Sequence, residues 1–147
     1  MSAILLRLVV LLSLATSTCL AWEQGEEPLG ARLAAAGYNE PEVAAFLKKI
    51  QGAVQADDAR ALAGMVHYPF SAPGKFTAKD RRAFIKQYEG FVTPRWKAAV
   101  VAQRYEDLFV NYQGIMVGNG EVWFGRPCTD KDCTKQELKI IAFNADD

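Results

Sequence analysis

The stretch that most constrains this chain is 113–143, QGIMVGNGEVWFGRPCTDKDCTKQELKIIAF. It reads as three consecutive strands joined by two short turns. Asn119-Gly120 between two apolar runs is a strong hairpin signal, because a type I′ turn needs positive φ at both central residues. A two-residue loop sets Val117 against Val122, Met116 against Trp123 and Ile115 against Phe124. One face then carries Ile115, Val117, Val122 and Phe124, and the other carries Met116 and Trp123. Both faces are at least partly apolar, so each needs a cover. Helices suit one; the other reads as a pocket floor or a partner surface. The second turn, Cys128 to Cys133, holds only polar residues between its cysteines. A regular loop there sets Leu138 opposite Trp123. Leu138, Ile140 and Ala142 then share one face, with Ile141 and Phe143 on the other, unless a bulge shifts the register.

Residues 1–21 read as a signal peptide. Arg7 precedes the apolar run Leu8 to Leu14, and Cys19-Leu20-Ala21 offers small residues for a cut after Ala21. The run is shorter than the roughly 20 residues of a membrane span. A lipid-anchored form is the lesser alternative, because Thr18 precedes Cys19 and no leucine stands three positions before it. Cleavage removes Arg7 alone among the charges, so 17 basic and 17 acidic residues become 16 and 17. A balance so near neutral, with no aromatics interleaved in a basic stripe, excludes a nucleic-acid role. The expected location is the periplasm or the exterior. There the two remaining cysteines, Cys128 and Cys133, should pair as a clip on the hairpin. A redox pair would favour closer Cys-x-x-Cys spacing. A zinc site needs more ligands than the lone His67 adds, so no metal is expected.

Residues 22–39 are a polar lead and a short Ala-rich helix ended at Gly37; 40–147 read as one α+β domain. Asn39 caps a helix with Pro41 in its first turn and Glu42 placed to reach back. Val43, Phe46, Leu47, Ile50, Ala53 and Val54 follow at helical spacing. Asp57-Asp58 reads as a cap and junction rather than paired carboxylates, since neighbours on a helix point apart. Val66 to Phe70 reads as a short strand stopped by Pro69, then a turn through Gly74. Thr77 with Asp80 opens a helix carrying Phe84, Ile85 and Tyr88, ended near Gly90. Thr93-Pro94 opens another, bearing Trp96, Ala99 and Val100, or else the chain runs extended from Ala98 to Ala102. Tyr105 to Tyr112 reads equally as helix or strand. Helices first and meandering strands last argue α+β, with N-terminal helices packed on an antiparallel sheet.

The string Phe46-Leu47, Ala56-Asp57-Asp58, then Met65-Val66-His67-Tyr68-Pro69-Phe70, followed by Gly114 to Phe124, resembles exported bacterial members of the nuclear transport factor 2-like superfamily. The resemblance spans about residues 40–143. It implies a cone, in which helices wrap a strongly curved sheet whose concave side holds a pocket. Such proteins are variously isomerases, dehydratases, ligand binders and non-catalytic interaction modules, so the fold does not settle the function.

Two functional readings follow. In the first, the chain is a non-catalytic envelope protein that binds a small apolar ligand or a protein partner, and a homodimer through the sheet is compatible with it. Tyr68, Tyr105, Asn111, Tyr112, Met116 and Trp123 are the candidate binding residues; Tyr112 and Trp123 matter most, because each carries a polar tip on an apolar body. In the second, it is a cofactor-free acid–base enzyme of the isomerase or dehydratase type. His67, the only histidine, then serves as general base. Asp107 would orient it, and Tyr105 or Tyr112 would donate to an oxyanion, as in the acid–base members that the fold resembles. The plainer reading of His67 is a hydrogen bond to backbone. No G-x-S-x-G and no phosphate-cradling glycine run is present, so hydrolase and nucleotide chemistry are unsupported and no cofactor is expected.

Overall fold

The computed structural model describes residues 27–72 and 76–144; the leader at 1–21 and the Pro73-Gly74 part of the expected turn lie outside them. Five helices and two antiparallel sheets make a mixed α+β fold. Helix α1 (Leu29–Ala35) ends at Gly37, whose φ of +78° lets Tyr38 N–H reach the Leu33 carbonyl at 2.8 Å. Leu33 is fully buried, so this helix belongs to the core rather than to a loose lead. Helix α2 (Glu40–Gln55) starts where Asn39 Oδ1 accepts from Glu42 N–H at 3.2 Å. The reciprocal half of the expected box is not made, because the Glu42 carboxylate pairs with Arg126 instead. Helix α3 (Ala59–Met65) is capped by Asp58, which accepts from Arg60 and Ala61 N–H.

The expected strand before Pro69 is one isolated bridge, Val66 to Ile140; the strand β1 (Phe70–Ala72) begins after it and pairs with β2 (Phe76–Ala78). Thr77 thus lies in β2, and Asp80 itself caps α4 (Arg81–Phe91) by accepting from Ala83 N–H at 2.9 Å. That helix runs through Gly90, which faces open space and costs it little packing. Thr93 caps α5 (Pro94–Ala102) as its Thr-Pro start predicts. The ambiguous segment splits into a single 3-10 turn (Tyr105–Asp107) and a strand, β3 (Phe109–Asn111).

Strands β4 (Gly114–Val117), β5 (Val122–Gly125) and β6 (Lys139–Phe143) complete a meander, so the main sheet has four strands in chain order. The β4–β5 register is the expected one, Val117 opposite Val122 and Ile115 opposite Phe124. The turn chemistry differs. Gly118 (φ +69°) and Gly120 (φ +114°) take the left-handed conformations, and Asn119 does not. Side chains hold this turn: Glu121 accepts from Asn119 N–H at 2.5 Å, and Gln103 Oε1 accepts from Gly118 N–H at 2.7 Å. The β5–β6 register departs from the regular-loop expectation. Trp123 faces Ala142 and Phe124 faces Ile140, with Ile141 bulged between. The bulge returns Phe143 to the same face as Ile140, and both are buried.

That face lies under the helices and is filled by aromatic rings. Phe143 packs on Phe70, Phe84, Phe91 and Trp96 with centroids 5.3–5.7 Å away, and Phe46 of α2 sits 5.2 Å from Phe124. Each ring buried here removes a large apolar area from water, and edge-to-face contacts add to it. Cys128 and Cys133 form the expected disulfide, with Cα atoms 4.7 Å apart, at an exposed tip between β5 and β6.

Candidate functional site

The opposite face of the sheet lies away from this aromatic core. Register carries one row of side chains across all four strands: Phe109, Met116, Trp123, Ala142. Phe109 is 45% exposed and meets Trp123 edge to face at 6.3 Å. Met116, Trp123, Ile141 and Ala142 are half-buried. The bulge at Ile141 turns its side chain onto this face, above Gly114 and Gly125. A methyl group added at either glycine would come within 3.3–3.4 Å of Ile141 Cδ1, so the two glycines make room for it. A shallow groove of about 300 Å³ results, bordered by Gln113 and Asn144 as well as Trp123, Ile141 and Ala142.

The rim is neutral and ordered by its own hydrogen bonds. Asn111 Oδ1 accepts from Gln113 N–H at 2.8 Å, which shapes the β3–β4 turn and leaves Tyr112 94% exposed at its tip. Asn144 donates from Nδ2 to the Gly120 carbonyl at 2.7 Å, tying the end of β6 to the β4–β5 turn.

The structure therefore gathers Asn111, Tyr112, Met116 and Trp123 from the sequence-predicted set. Tyr68 and Tyr105 are engaged elsewhere. The Tyr68 hydroxyl donates to the Ala63 carbonyl at 2.9 Å, and burial pushes its pKa up to about 12 against the pull of Arg81. Tyr105 donates to Glu40 at 3.3 Å; burial and then that carboxylate raise its pKa. Ala142 joins the gathered set on the face that the regular register gave it, and Phe109, Ile141 and Asn144 join the site without a sequence signal strong enough to place them. Phe109 sat in a segment of undecided type, and only the bulge brings Ile141 to this side.

His67 and Asp107 are not brought together. His67 N–H donates to the Ile140 carbonyl at 2.9 Å, beside β6. Asp107 precedes β3 at the other edge, with β4, β5 and β6 all between the two. Asp107 lies 3.7 Å from Arg104 and is exposed. His67 lines none of the four clefts on the molecule's surface described here. Among the described residues no three His, Cys, Asp or Glu side chains converge to hold a metal, and no helix is long and apolar enough to cross a membrane.

Comparison of the chain with protein-family models, curated proteins and solved structures finds no match.

Proposed function

We propose that this chain is an exported, non-catalytic binding protein that presents the open face of its four-stranded sheet to an apolar patch on a protein partner. The observation that carries the reading is the row Phe109, Met116, Trp123, Ala142, apolar across every strand, with Phe109 exposed and the other three only half-buried among the described residues. Aromatic residues and methionine at the centre with no charge among them, ringed by Asn111, Gln113 and Asn144, is the composition of an interface core and its rim. Helices on one face of an antiparallel meander also suit a nuclear transport factor 2-like arrangement, in which the open face is the available one. A small apolar ligand is the second reading. The groove, about 300 Å³, is at the small end for such a site. The acid–base reading has less behind it, because His67 has no carboxylate partner at Asp107.

The test places a photo-crosslinking amino acid at position 109, and a control at Lys48 on the wet side of α2, in cells that export the protein. A discrete adduct from position 109 alone, lost in a Trp123→Asp background, supports the reading. An adduct of twice the chain's own mass would make the partner a second copy. Equal labelling from both positions, or none from 109, overturns the proposal. Displacement of an apolar fluorescent dye from the wild-type protein and not from Trp123→Asp would favour the small-ligand reading instead.

A further inference from the structure

The disulfide tip between β5 and β6 carries chemistry that the sheet face does not. Cys128 and Cys133 are both exposed, so a thiol in solution can reach the bond between them. The turn around that bond is already closed by hydrogen bonds. Thr129 offers its N–H and its hydroxyl to the Lys135 carbonyl at 3.1 and 2.9 Å. Cys133 N–H donates to the Asp130 carbonyl at 3.3 Å, and the Asp130 carboxylate accepts from Thr134 N–H at 2.8 Å. Cys128 itself faces Gln136 in an antiparallel bridge. A covalent link across so short a loop restrains little further chain entropy. An exposed disulfide that the local fold does not depend on is of the kind that exchanges rather than the kind that staples.

Two features set the sulfurs apart. Cys133 takes φ +54°, a left-handed conformation that is costly for a residue with a side chain. Opening the bond removes one restraint on that backbone, which favours the dithiol. Gln136 Nε2 also donates to Cys133 Sγ at 3.3 Å, and no such donor meets Cys128 Sγ among the described residues. A donor aimed at a sulfur favours its thiolate. The sulfur whose thiolate is better stabilised is the one that leaves when its neighbour is attacked.

We propose that this tip is a thiol–disulfide exchange site that takes electrons from a dithiol, with Cys128 as the sulfur attacked and Cys133 as the leaving group. A thiolate of the dithiol attacks Cys128 Sγ and forms a mixed disulfide. The Cys128–Cys133 bond breaks, and its electron pair leaves on Cys133 as a thiolate beside the Gln136 amide. The second thiolate of the dithiol then attacks its own partner sulfur and releases the Cys128 thiolate. Both thiolates at the tip take protons from water. Two electrons have passed to the tip, and the dithiol has become a disulfide. The site is separate from the sheet face, and either can stand without the other.

Redox titration of the native, oxidised protein with quenched mass spectrometry tests it. An excess of reduced glutathione over its disulfide should open the bond without denaturant, which structural disulfides resist. At early acid quench the glutathione adduct should sit on Cys128 roughly tenfold more often than on Cys133. With dithiothreitol as the dithiol, Gln136→Leu should open roughly threefold more slowly than wild type, since the leaving thiolate loses its donor. The reduced protein should keep the Thr129 and Thr134 amide resonances of the oxidised one. The proposal is overturned if glutathione leaves the native bond closed, or if the adduct is shared equally or lies mainly on Cys133. It is equally overturned if Gln136→Leu opens as fast as wild type, or if reduction disperses the tip resonances, which would make the bond a staple.

Discussion

Gln51 shows how one polar side chain can finish another element. Its Nε2 shares its N–H groups among the carbonyls of Val100, Val101 and Gln103 at 2.9–3.2 Å around the end of α5, where Val100 accepts from Gln103 N–H as well. Gln103 in turn accepts from Gly118, so α2, α5 and the β4–β5 turn are joined in series. Gln51→Ala should cost about 1–2 kcal/mol in urea unfolding, with an unchanged m-value. At the turn itself, Gly118 has φ +69° and an added Cβ would fall 2.1 Å from the Glu121 carboxylate. Gly118→Ala should therefore lose roughly 1–3 kcal/mol, read from the same unfolding curves. Glu121 is the one charged side chain buried among the described residues, and its bond to Asn119 N–H is why the turn does not need Asn119 at positive φ. Tyr88 adds a pH signature. Burial, reinforced by Asp57 and Asp58, raises its pKa from 10.0 to about 12. The folded chain then keeps a proton that the unfolded chain has lost. Its contribution is whole below pH 10 and is lost as the pH climbs toward 12, on the order of 2 kcal/mol. Melting curves between pH 9 and 12 check this, with Tyr88→Phe removing its share of the slope.

At the scale of elements, capping chemistry was the most legible part of the sequence. Asn39, Asp58 and Thr93 each cap the helix that their position and neighbours announce. The β4–β5 pairing was legible for the same reason: two short apolar runs on either side of a turn admit one register. The β5–β6 pairing was not. Its long polar connection fixes no spacing, and the bulge exchanges the faces of Ile140 and Ile141 while Ala142 and Phe143 keep the ones a regular loop gives them. The sulfur-closed tip between these strands has a second fastening. Asp130 accepts from Thr134 N–H at 2.8 Å and from the Thr134 hydroxyl, and the hydroxyl is the main cause of its lowered carboxyl pKa. That closure is present above the ordinary aspartate pKa and is lost as the pH falls through the lowered one. The Thr134 amide resonance should titrate with a midpoint below the ordinary aspartate value. A double Cys128→Ser, Cys133→Ser variant should keep this titration and lose at most about 2 kcal/mol, because so short a loop restrains little chain entropy.

Over the whole molecule, the layer order was readable and the working surface only half so. Helices before strands implied one covered sheet face, and Met116 with Trp123 marked the other; Phe109 and Ile141 needed the third dimension. His67 illustrates the limit. A lone histidine beside a tyrosine invites an acid–base role, yet its backbone N–H is what meets β6, and its imidazole lines no cleft described here. His67→Ala should leave the melting temperature within a few degrees of wild type and leave crosslinking from position 109 intact. A larger loss in crosslinking than in stability would return His67 to the binding or catalytic machinery. The rings of Phe70, Phe84, Phe91 and Trp96 all converge on Phe143. The interior therefore closes only when β6 meets segments as distant along the chain as Phe70, a non-local step that sets a slower pace for folding than the neighbouring strand pairs would.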